Sequence, residues 1–278
     1  TFTGLIFPSK TGVLQKLLIM MDKLLCFAAT NIYPKGNGVK KDLIKFRITD
    51  KELSILGNGN VNGVDLEYFD TNLFSDLDKE NIRSKINLSK DDFVFVFVGR
   101  LVRDKGVNEL IGAFDELVKT NGKIKLLLIG SEESDLDPLH RSSLDAISTN
   151  PNIIKLGFQK DIRPFLAISD CMVFPSYREG FPNVVLQAGA MEVPCIVTDI
   201  NGSNEIISDG INGVIVPVKD ENSLKNAMIR IYNNPDLLMS FKLNTRKIIE
   251  EKFDQKYVWT CILEEYQRLI NEKNKNNV

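Results

Sequence analysis

The chain has 278 residues, enough for one large α/β domain or two smaller ones. It is 43% hydrophobic and 26% charged, and 35 Lys and Arg against 37 Asp and Glu leave a formal charge of −2, so composition gives no general reason to bind nucleic acid or an anionic membrane. Cys26, Cys171, Cys195 and Cys261 lie far apart without a C-x-x-C pair, which removes zinc and dithiol readings and fits a reduced, cytoplasmic protein.

From the N-terminus, spacing predicts a helix over 14–26, a strand over 28–33, a helix over 39–46 and a strand over 52–56. The apolar stretch 13–33 is interrupted by Lys16, Asp22 and Lys23, and a bilayer span of ~20 residues rarely carries so many charges. It reads as an amphipathic helix packed on a domain. Peripheral contact with the inner face of a membrane is the alternative for this segment. A whole domain takes roughly 100–150 residues, so 1–70 reads as the remnant of an N-terminal domain. The start at Thr1 rather than Met reads as a cut end, and the segment 71–91, rich in Asp, Asn, Ser and Lys, as a linker.

From residue 92 the pattern changes. Branched and aromatic runs at 93–98, 124–129, 152–156, 171–174, 194–197 and 214–216 predict strands. Between the first two, Leu110, Ile111, Phe114, Leu117 and Val118 repeat at helical spacing, with Asn121-Gly122 as the stop. A further helix is expected over 140–148, and 222–271 reads as helices broken near Asn234-Pro235 and Phe253-Asp254. Runs that are apolar throughout indicate strands covered on both faces, so the fold class is α/β with a doubly wound, Rossmann-like parallel sheet over 92–278.

Several motifs fail on spacing. Gly57, Gly59 and Gly63 follow a predicted strand, but the third glycine is one place too late for a dinucleotide loop. Gly99 and Gly106 are too widely spaced for a P-loop, and no Lys-Ser/Thr follows. Asp76-Leu-Asp78 and Asp135-Leu-Asp137 could each meet a divalent metal, but both read as solvated loop acids, so no metal and no cofactor are expected. The single histidine, His140, reads as a surface residue.

The stronger signals lie at the carboxyl ends of the predicted strands, where doubly wound folds bind ligands. Gly99 permits a tight turn after the first strand, and Arg100 and Lys105 beyond it suit a diphosphate. After the fourth strand, Pro175-Ser176 and Glu179-Gly180-Phe181-Pro182 lead into a helix with Asn183 as expected N-cap and Val184 in its first turn. Such a helix start offers free N–H groups to phosphate, and Gln187 one turn in can lean back toward the same ligand.

Together with Asn62-Gly-Val-Asp65, Asp199 to Ile207 and Asn212-Gly213, these loops resemble the retaining GT-B glycosyltransferases called glycosyl transferases group 1, relatives of glycogen and sucrose synthases. The resemblance implies a nucleotide-sugar donor, a glycan or lipid-linked acceptor, transfer with retention, and a role in surface polysaccharide assembly. Arg100 and Lys105 would hold the diphosphate, and Glu179 the transferred sugar. Gly99 and the backbone of Gly180, Phe181, Pro182, Asn183 and Val184 would complete the donor site. The family's second glutamate, which holds the ribose, is here Gln187, an amide without charge assistance.

The alternatives are a nucleotide-binding half-protein that needs a partner subunit and a GT-B epimerase or phosphorylase. Because the acceptor side looks incomplete, the chain is expected to bind donor but to transfer sugar weakly.

Overall fold

A computed structural model describes residues 1–119, 122–133, 135 and 137–276. The stop expected at Asn121 and the middle of the second acidic motif, Leu136, lie outside them. Six parallel strands form one sheet: β1 (Phe93–Val98), β2 (Ile124–Ile129), β3 (Ile153–Gly157), β4 (Cys171–Phe174), β5 (Cys195–Thr198) and β6 (Gly213–Val216), in the order β3-β2-β1-β4-β5-β6. β1, β4 and β5 are buried almost throughout because helices cover both faces. The doubly wound α/β class is therefore as expected.

The two half-sheets meet between β1 and β4, which share only the pairs Phe95↔Cys171 and Val96↔Met172, whereas β1 and β2 pair along their whole length from Phe93↔Ile124 to Val98↔Ile129. Strand order reverses at this join. Connections leave β1 and β4 in opposite directions there and open a crevice at their carboxyl ends. The helices α4 (Val107–Val118), α5 (Arg141–Thr149), α7 (Asn183–Ala190), α9 (Glu221–Tyr232) and α10 (Pro235–Phe253) surround the sheet, with α4 against α5 and α9, and α7 against α10. The short helices α6 (Arg163–Ala167) and α8 (Ser203–Ile206) complete the connections.

The first 70 residues carry α1 (Gly12–Ala28) and α2 (Asn37–Lys45) around a small core of Phe7, Cys26, Ile32, Val39, Leu43 and Leu53. Neither expected strand forms. Over 28–33 and 52–56 there is only the isolated bridge Ile32↔Leu53, with Phe2↔Pro34 beside it, because no neighbouring strand extends either pairing. On α1, Leu17, Met20, Met21, Leu24 and Leu25 are exposed while Cys26 is buried. No helix among the described residues is long and apolar enough to cross a membrane. The segment read as a linker holds α3 (Asp76–Lys85), started by a capping box in which Ser75 and Asp78 satisfy each other's backbone N–H. Asp78 is thus a helix cap rather than a loop acid.

The last helix, α11 (Gln255–Asn276), runs back to the N-terminal segment. Val64 and Gln255 exchange backbone bonds with the α10–α11 junction: Val64 N–H donates to Phe253 and Gln255 N–H to Val64 at 2.9 and 3.0 Å. Gly63, at φ +63°, allows the approach, since a Cβ there would lie 2.5 Å from the Gln255 Cα.

Farther along α11, the Tyr33 hydroxyl donates to Glu265, whose carboxylate Arg268 grips at 2.6 and 2.8 Å. The Arg268 hydrogen bond, helped by Tyr33, holds Glu265 down at about 2, and burial together with the bond to Glu265 pushes Tyr33 up to about 12. A depressed carboxyl contributes stability above its ordinary 4.5 and loses it as pH falls toward 2. The raised phenol contributes below its ordinary 10.0 and loses it as pH climbs through about 12. Melting temperature should therefore drop between pH 4.5 and 2, and Glu265→Gln should flatten that drop. Equal slopes for parent and variant in a pH series of thermal melts would contradict this assignment.

Candidate active site

Two loops meet at the switch point. The first leaves β1 through Gly99, at φ +159°, and turns at Gly106, at φ +69°. The second leaves β4 at Pro175. They are packed so closely that a Cβ on Gly106 would lie 2.0 Å from the Pro175 carbonyl oxygen. Tyr177 N–H donates to the Asp104 carbonyl at 2.9 Å, which ties the loops together.

Side chains continue the join. Lys105 pairs with Glu179, both side chains 17% exposed, and Ser176 Oγ donates to the same carboxylate oxygen at 2.9 Å. Asp137 accepts from Asp104 N–H at 2.6 Å and from Arg103 Nε at 3.0 Å, while Arg178 reaches Asp104 at 3.1 Å. Arg100, more exposed, pairs with Glu133 at 2.7 Å. Behind them the Tyr177 hydroxyl donates to Glu109, and burial is the first cause that pushes its phenol above the ordinary range.

Of these residues Arg100, Asp104, Lys105, Arg178 and Glu179, with Gly180, line a cavity of about 230 Å³ together with Thr3, Gly4, Leu5 and Ile6 from the N-terminal segment. The contact there is tight: a Cβ on Gly180 would lie 1.5 Å from the Thr3 carbonyl oxygen. Larger hollows exist, such as one of about 670 Å³ beside Phe74 and Phe165, but it is mainly apolar and away from the join.

The structure thus brings Arg100, Lys105, Glu179 and Gly180 around one cavity. Phe181 and Pro182 are buried behind it, and Asn183, Val184 and Gln187 lie half-buried along the start of α7. Asn183 is not the N-cap. Pro182 occupies that position, Asn183 is the first helical residue, and its Oδ1 accepts from Asn60 Nδ2 at 2.9 Å across the lobe seam. His140 stands, exposed, at the N-cap position of α5 without a side-chain capping bond, and Asp137 is spent on Arg103 and Asp104.

Two features escaped the sequence reading. Glu205, inside a recognised motif, does not face the cavity; its carboxylate accepts from Asn37 and Gly38 N–H at 2.6 and 3.0 Å and so satisfies the N-terminus of α2. Lys35, outside every motif, is only 9% exposed. Burial lowers its pKa and the nearby charge of Glu179 raises it again.

The sequence pattern of the family described as glycosyl transferases group 1 matches residues 78–248, which take in both loops. The chain belongs to this family. Among relatives of this group 1 glycosyltransferase, the capsular polysaccharide biosynthesis glycosyltransferase CapM of Staphylococcus aureus is 31% identical over 98% of this chain and 70% of its own length. The UDP-Gal:alpha-D-GlcNAc-diphosphoundecaprenol alpha-1,3-galactosyltransferase of Escherichia coli is 30% identical over 68% of this chain, which spans 48% of that enzyme. The crystal structure of Anabaena Alr3699/HepE in complex with UDP superposes with a TM-score of 0.80 at 17% identity, covering 96% of this chain and 71% of that one. At that identity the likeness concerns fold. It agrees with the GT-B architecture that the motifs imply.

Proposed function

We propose that the chain binds a nucleoside-diphosphate sugar at the β1–β4 join and serves transfer of that sugar, with retention, to a glycan or lipid-linked acceptor in surface polysaccharide assembly. The observation that carries this reading is the convergence of Arg100, Lys105 and Glu179 from two loops around one cavity, beside the N-terminus of α7. The relatives' printed roles, capsular synthesis in one and galactosyl transfer from UDP-Gal in the other, support it. So does the UDP held by a structural neighbour of the same fold.

In this reading Arg100 and Lys105 take the diphosphate oxygens and offset the charge that grows on them as the glycosidic bond breaks. The backbone N–H groups of Gly180, Phe181, Asn183 and Val184 add the favourable end of a helix dipole. Glu179 then receives sugar hydroxyls, and the Gln187 amide bonds the ribose. Both cations are already held by carboxylates, Arg100 by Glu133 and Lys105 by Glu179, so donor binding is an exchange of partners.

A charge-assisted hydrogen bond contributes about 1.5–3 kcal/mol, so Arg100→Ala or Lys105→Ala should weaken UDP or GDP binding about tenfold to a hundredfold. Glu133→Gln, which frees Arg100, should strengthen it. Titration calorimetry measures all of these. An unchanged affinity in a folded Arg100→Ala, Lys105→Ala double variant would remove the diphosphate assignment.

A further inference from the structure

A second polar cavity, of about 260 Å³, lies between α4 and the starts of α5 and α9. It shares no lining residue with the diphosphate cavity. Three carboxylates line it, Glu109 and Asp115 from α4 and Glu221 from α9, and no lysine or arginine is among its lining residues. Gly112 leaves room for the Glu221 carboxylate, whose Oε2 would lie 2.4 Å from a Cβ at that position.

Acidic residues at a surface are usually solvated, but Asn108 beside them is not. It is 8% exposed, and its Oδ1 accepts from the His140 N–H at 2.9 Å, which fixes the orientation of the amide. Its Nδ2 is then left buried without a partner. On the next residue, Glu109, one carboxylate oxygen takes the Tyr177 hydroxyl, and the other, Oε2, is buried and unpartnered as well. A buried donor and a buried acceptor thus stand unpaired on consecutive residues of one helix, each costly to leave so.

This pair selects the chemistry of a ligand. An ammonium or guanidinium only donates and leaves Asn108 unmet. A carboxylate or phosphate only accepts, and the three carboxylates repel it. A hydroxyl does both, donating to Glu109 Oε2 while it accepts from Asn108 Nδ2. Water has the same chemistry, but one water takes about 30 Å³. The cavity has the volume, and in Asp115 and Glu221 the further acceptors, for a ring that carries several hydroxyls.

We propose that this cavity binds a neutral hexose unit of a glycan through Asn108, Glu109 and Glu221. The site stands on its own geometry, and only its use rests on the donor reading: a glycan held here stays close to the enzyme between transfers. Glu109 also joins the cavity to the donor loops, because the hydroxyl it accepts belongs to Tyr177, whose N–H ties them together.

His140 is the single histidine of the chain and lines the cavity, so its ring resonances form an unshared NMR probe. The methyl glycosides of glucose, galactose, N-acetylglucosamine and N-acetylgalactosamine are titrated against it at fixed pH. At least one should shift the His140 signal saturably with a Kd of about 1–10 mM, and glucuronic acid should bind at least about tenfold more weakly. Asn108→Asp keeps the size and the acceptor for the His140 N–H but removes the donor, and should weaken binding about tenfold or more. Ala146→Leu, which crowds the cavity from α5, should do the same and serves if the first variant folds poorly. Saturating UDP should leave the shift in place. No shift with any of the glycosides up to about 100 mM would mean that the unpaired groups meet water only, and would overturn the site. Parent-like affinity in whichever variant folds, or loss of the shift on adding UDP, would overturn it as well. The donor reading is tested apart, by UDP calorimetry of Arg100→Ala and Lys105→Ala, and its failure there leaves the hexose site standing.

Discussion

Gly106→Ala is expected to lower stability by about 2–5 kcal/mol, adding the cost of a left-handed alanine, about 1–2 kcal/mol, to that of forcing a methyl into packed structure, about 1–3 kcal/mol. The methyl would meet the Pro175 carbonyl oxygen, a backbone atom that cannot rotate away. Either the loop after β1 or the loop after β4 must retreat, and Lys105 or Glu179 goes with it. Urea denaturation should show a lower midpoint, and nucleotide affinity should fall further than Lys105→Ala alone accounts for. A parent-like midpoint would mean that the loops are not held as closely as described.

The second large effect is expected at Arg246 on α10. Its guanidinium donates to the carbonyls of Phe69 at 3.0 Å, Ala190 at 2.6 Å and Leu66 at 3.2 Å, and it is paired with Glu250 at 2.7 Å. A single mostly buried side chain therefore closes the C-terminus of α7 and ties Leu66 and Phe69 to α10. Arg246→Ala leaves these acceptors without a cation and should cost about 3 kcal/mol. Arg246→Lys should recover little, since one ammonium cannot reproduce the planar fork. Comparison of urea midpoints for the two variants checks this, and full recovery by lysine would refute the fork.

Five of the six strands were legible because they are buried almost throughout and so read as apolar runs, while β3, at the edge of the sheet, is half-exposed and was legible from Ile153, Ile154 and Leu156 alone. The loops were legible because glycine marks tight places: backbones approach at Gly106 and Gly180, and Gly99 takes a positive φ as the chain leaves β1. What was hidden depends on distant parts of the chain. The stretches near Ile32 and Leu53 have strand-like composition, but a strand also needs a neighbour, and composition does not supply one. Glu205 lies in a recognised motif, but its partners at Asn37 and Gly38 follow only from how the lobes dock. Lys35 sits in a polar stretch and resembles any surface lysine until Phe2 and Asn60 are folded against its backbone. Asn183 was misread locally: with Pro182 already at the cap, its amide is free to reach across to Asn60.

The shortness of the β1–β4 pairing has a consequence for how ligand and fold are coupled. β1, β2 and β3 follow one another in sequence, as do β4, β5 and β6, so each half-sheet is built from near neighbours. The halves are then held by the least extensive ladder in the sheet, and non-local pairings of this kind are entropically the costliest to form. The proposed diphosphate site lies at the mouth of that ladder with one wall on each half. A nucleotide gripping both walls acts as a staple across the middle of the molecule, and its binding free energy adds to the resistance of the seam to opening. Amide exchange along Phe95, Val96, Cys171 and Met172 should slow when nucleotide is added, reporting from inside the sheet on a ligand that none of those residues touches.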